Sequence, residues 1–148
     1  MSWKPIDAFK DITRGDAAAE ELMTSLYVWF HYRDDLYDKD HLVPPDSARY
    51  DLALLHVFAK NTFFQKHQDY LWPVFTMATL AWIASEDRKH SEDIMERITA
   101  QVLKSQYQDY FYAVAFCVGG FSHALAMARK YREYCFDDEG TKSLAKDP

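Results

Sequence analysis

The residues best suited to chemistry lie in one short run, His31-Tyr-Arg-Asp34-Asp35-Leu-Tyr-Asp38. On a helix His31, Asp34, Asp35 and Asp38 stand at i, i+3, i+4 and i+7, so their side chains leave from one face. Three carboxylates held that close repel one another, and a divalent cation relieves the repulsion. Hard oxygen donors on one helix face suit Mg²⁺ shared between a protein and a substrate phosphate. The four residues are the candidate metal ligands, and Mg²⁺ is the one cofactor the sequence suggests. A plainer reading competes. The acidic face lies opposite Leu22, Leu26, Trp29 and Phe30 and continues through Thr24 and Glu20, which is how a solvated helix face looks. On that reading there is no cofactor.

Within the run, Asp34-Asp35-Leu36-Tyr37-Asp38 resembles the aspartate-rich motif of class I terpenoid synthases, which are all-α enzymes. The resemblance implies that Asp34, Asp35 and Asp38 hold Mg²⁺ ions that bind a substrate diphosphate and trigger its departure. It covers five residues and does not extend to the family's second metal motif. The nearest approach is Asp87 with Ser91, but Met95 stands at the next required position, and Glu96 is one residue late.

A second acidic cluster, Glu86, Asp87, His90, Glu92, Asp93 and Glu96, reads as a charged loop and a helix start, where acidic residues favour the dipole. Asp87 and His90 have the i, i+3 spacing of half a di-iron site, without the other half. His123, inside an uncharged segment, reads as a buried histidine bonded to a carbonyl. Cys117 reads as a small core hydrophobe. A Gly-rich phosphate loop, a Cys-x-x-Cys pair and a recognisable nucleophile setting are all missing.

The elements that must position these groups are helical. The chain has 148 residues, ten Phe, ten Tyr and four Trp, against four Gly and five Pro. Large side chains and few turn residues favour long regular elements. We expect an all-α, single-domain bundle of about five helices: 17–38, a second capped by Asp46 or Ser47 and running to 67, 70–85, a fourth opened by Ser91 with Ile94, Met95, Ile98 and Val102 on its buried side, and 106–134. Asp16 should cap the first, and Pro44-Pro45 forces a loop before the second. Asn61 and Gln65 interrupt the second helix's apolar stripe, which predicts a buried hydrogen bond or a partner surface. Residues 1–15 read as an irregular arm and 137–148 as a polar, frayed tail.

Two segments lack charge, 70–85 and 111–128. The second approaches the ~20 residues needed to cross a bilayer, but Gly119, Gly120, Ser122 and His123 dilute it. It reads instead as the central helix of the bundle, with Gly119 and Gly120 admitting a neighbouring helix closely.

The net charge of −6 argues against a nucleic-acid partner held by phosphate contacts. Cys117 and Cys135, on one helix, would be about 27 Å apart and unable to pair, which with the charged N-terminal residues indicates a reducing, cytoplasmic location. The expected function is a non-catalytic helical interaction module, an adaptor, inhibitor or immunity-type protein, binding another protein or itself. The competing function is an Mg²⁺-dependent enzyme or binder of a phosphorylated or diphosphate ligand at the aspartate cluster.

Overall fold

The computed structural model describes residues 5–38 and 44–132, except for the side chains of Pro5, Ile6 and Asp38. The polar tail and Cys135 lie outside the described residues. The chain is all-α, as expected, with no strand among the described residues. Its helices are α1 (Pro5–Thr13), α2 (Ala17–Asp38), α3 (Arg49–Lys60), α4 (Thr62–Glu86), α5 (Ile94–Ser105) and α6 (Asp109–Tyr131), with short 3₁₀ turns at Pro45–Ala48 and Gln106–Gln108. Contacts gather the chain into two compact units, Met1–Gln68 and Asp69–Pro148.

In the first unit, the stretch expected to be an irregular arm is helical. Ala8, Phe9 and Ile12 fall on one face of α1 and are buried, and the Phe9 ring meets Tyr27 of α2 edge-on at 5.6 Å. Nine residues cannot sustain a helix alone, so packing on α2 supplies what local propensity lacks. The turn that follows uses left-handed backbone at Arg14 (φ 50°) and Gly15 (φ 78°). Asp16 caps α2 as expected, its Oδ1 accepting the Ala19 N–H at 3.0 Å.

The expected second helix ends early, at Asn61. This residue has extended backbone (φ −71°, ψ 120°) and is buried. Its Oδ1 caps α4 by accepting the Phe64 N–H at 2.9 Å, and its Nδ2 donates to the Ala18 carbonyl of α2 at 2.8 Å. The interruption in the apolar stripe is therefore a buried hydrogen-bonding junction. One consequence is that α4 begins eight residues before the expected start at Tyr70, and Pro73 stands inside the helix rather than in its first turn.

In the second unit, Asp93 caps α5, its Oδ1 accepting the Met95 N–H at 2.8 Å. Buried Arg97 donates to the carbonyls of Ser91 and Glu92 and holds the loop in place. The expected long terminal helix is not straight. Gly120 has φ 79° and ψ −169°, a backbone region that only glycine enters readily. A straight helix from Asp109 to Arg132 would separate its ends by about 34 Å. Arg132 nevertheless forms an ion pair with Asp109 and lies over the Tyr112 ring, 5.7 Å from its centroid. The two halves of α6 must therefore fold back on each other at Gly120.

This reversal corrects the expectation of a central spine. Tyr110, Phe111, Val114 and Met127 are buried, but Phe116, Phe121 and Leu125 are exposed, and only 33% of the most apolar window is buried. Each half is about 16 Å long, roughly half of a ~30 Å hydrocarbon core. The glycines serve the turn rather than a neighbouring helix. A Cβ on Gly119 would meet the His123 side chain at 2.7 Å, whereas one on Gly120 would meet nothing within 4 Å.

Candidate functional site

The four expected metal ligands all lie near the end of α2. His31 is exposed, its ring 4.3 Å from that of Tyr27. Asp34 and Asp35 are half-buried on the same helix. The Asp38 side chain lies outside the described residues. Among the described residues, no three His, Cys, Asp or Glu side chains converge as a metal-binding group. The nearby acidic side chain with a clear structural role is on the neighbouring helix. Asp51 of α3 accepts hydrogen bonds from Trp29 Nε1 at 2.8 Å and from the Tyr32 hydroxyl at 3.4 Å, which ties α3 to α2.

Two members of the second acidic cluster have structural roles. Glu86 is buried and pairs with Lys89 at 2.5 Å, and Asp93 is the cap of α5. Asp87 and His90 are exposed. His123 is buried, as expected. Cys117 is a free thiol, half-buried, and burial pushes its pKa up.

The structure adds a groove in the second unit, of about 510 Å³, within the range of small-molecule sites. Tyr70, Pro73, Val74, Met77 and Ala78 of α4 form one wall. Tyr112, Ala113 and Phe116 from the first half of α6, with Ala124 and Ala128 from the second, form the other. The Tyr70 and Phe116 rings meet at 5.4 Å, tilted by 33°. Gln106, Asp109 and Arg132 line one end of the groove, where the two ends of α6 meet, and Tyr70 and Tyr112 add hydroxyls to its walls. No sequence signal announces this site. Its lining spans residues 70 to 132 and depends on the reversal at Gly120.

A different surface lies on α4. Trp72, Thr76, Leu80 and Ile83 recur every three or four residues, so they share one face. All four are exposed, Trp72 at 40%, Leu80 at 55% and Ile83 at 49%. Met77, at 63%, lies between this face and the groove. The segment 70–85 has no charged residue to solvate the face.

No family model matches the chain, and no curated protein or solved structure is detectably similar to it.

Proposed function

We propose that the chain is a non-catalytic helical interaction module that self-associates through the uncharged face of α4. The observation that carries this reading is the row Trp72, Thr76, Leu80 and Ile83, exposed along an uncharged segment. Contiguous apolar surface of this kind is costly to leave in water and is typical of contact sites. A two-fold contact brings a patch against its own copy, and a face without charge meets itself without like-charge repulsion. Trp72 supplies the kind of large aromatic anchor that dominates contact energies.

Sedimentation velocity over a range of protein concentrations tests the proposal. The wild type should show reversible association, and Leu80→Lys or Ile83→Lys should leave a folded monomer. A wild type that stays monomeric up to its solubility limit, or lysine variants that associate as before, would overturn it.

A further inference from the structure

We propose that the groove between α4 and the folded-back α6 binds a hydrophobic monocarboxylate, with its carboxylate on Arg132 and Gln106 and its hydrocarbon body along the groove. This inference is independent of the self-association proposal, which concerns Trp72, Leu80 and Ile83.

The walls determine the body of the ligand. Val74, Met77, Ala113, Phe116, Ala124 and Ala128 offer no hydrogen-bonding side chain to a guest, so the matching surface is hydrocarbon. Met77 and Phe116 line the groove yet remain substantially exposed. A guest would remove that apolar area from water, which is the main driving force for such binding.

The polar end determines the head. Arg132 donates from one terminal nitrogen to Asp109, but a guanidinium carries five N–H donors in a planar fork. Its side chain is 32% exposed, so the remaining donors are reachable from the groove. Gln106 adds an amide with two further N–H groups and one carbonyl acceptor. Against these stands one carboxylate, Asp109, already engaged by Arg132 and placed in the first turn of α6, where negative charge is favoured. Donors therefore exceed acceptors at this end, and an arginine fork matches a carboxylate better than a hydroxyl or an ammonium. Phe116 is about 10 Å along α6 from Asp109, which gives the body a run of apolar wall beyond the head.

The test is calorimetric titration of the full chain with decanoate, decanol and decylammonium, each below its micellar concentration. Decanoate should bind one per chain and more tightly than either analogue. Arg132→Gln should weaken decanoate by about tenfold or more, the size of one charge-assisted hydrogen bond, while leaving decanol unchanged. Met77→Glu, at an exposed position, should repel decanoate but not decylammonium. Leu80→Lys should change nothing, which separates this site from the self-association face. The proposal is overturned if decanoate fails to bind, if decylammonium binds more tightly, or if folded Arg132→Gln and Met77→Glu both bind decanoate as the wild type does.

Discussion

Arg132 donates to Asp109 across 23 residues of sequence, and this contact marks an apparently continuous helix as a hairpin. The pair closes the open end while Gly120 makes the turn at the other. Both side chains are partly exposed, at 32% and 43%, so water screens their attraction. We expect a double-mutant cycle of Arg132→Gln and Asp109→Asn to give a coupling of about 0.5 kcal/mol, falling as salt is added. A coupling of several kcal/mol would mean that the pair is far less solvated than its exposure indicates.

The turn itself should matter more. Gly120→Ala places an L side chain at φ 79° and ψ −169°, at a cost of roughly 1 to 3 kcal/mol. The mirror image of this backbone is ordinary extended chain. A D-alanine introduced at position 120 by semisynthesis should therefore be neutral or stabilising in thermal denaturation. If D-alanine destabilises as much as L-alanine, the conformation at Gly120 is not the reason for the glycine.

Asn61 serves two helix ends and the Ala18 carbonyl of α2 at once. Asn61→Ala removes the cap of α4 and the tertiary hydrogen bond to the half-buried Ala18 carbonyl. A loss of about 2 kcal/mol is expected from these two terms. Equilibrium unfolding in urea measures it, and a loss below about 0.5 kcal/mol would show that water replaces the side chain freely.

Tyr110 is fully buried, and its hydroxyl has no hydrogen-bond partner among the described residues. Burial, with a smaller contribution from Cys117, pushes its pKa well above the usual 10.0. The sign for stability follows from that direction. The folded chain keeps the phenol protonated, so the contribution is fully present below pH 10 and is lost as the pH rises and the unfolded phenol ionises. Tyr110→Phe should flatten this alkaline loss and, by removing an unpartnered polar group, match or exceed wild-type stability at neutral pH. A steeper alkaline loss in the Phe variant would contradict the assignment.

The aspartates of α2 give a further test. Changing Asp34, Asp35 and Asp38 to Asn removes like charges from the C-terminal end of a helix, where negative charge is unfavourable. The interaction-module reading expects unchanged association and a melting temperature equal to or slightly above that of the wild type, with or without Mg²⁺. An Mg²⁺-dependent rise in melting temperature that the triple variant loses would restore the metal-binding reading.

Helical class was legible because uncharged runs and three-to-four spacing repeat through most of the chain, and Asp16 announced its cap by residue type. Three features were not legible. Helix α1 is too short to declare itself without α2 beneath Phe9 and Ile12. Asn61 stands at a helical position of the apolar stripe, so nothing local distinguishes a capping residue from a polar interruption. Gly119 and Gly120 are equally compatible with close helix packing and with a reversal. Only the meeting of Asp109 with Arg132 distinguishes the two, and that is a tertiary fact. The groove depends on the same reversal and was invisible for the same reason.

The reversal at Gly120 also has a kinetic side. The groups that close the hairpin lie 23 residues apart, so the chain that must loop round to join them is short, and short-range closure is fast. Contacts between α4 and α6, such as Tyr70 with Phe116, join segments much further apart in sequence and carry a larger closure entropy. The hairpin is thus positioned to form first and to offer α4 a preformed surface. A substitution at Gly120 that spoils the turn would slow refolding of this unit, whereas one at Tyr70 would mainly hasten its unfolding.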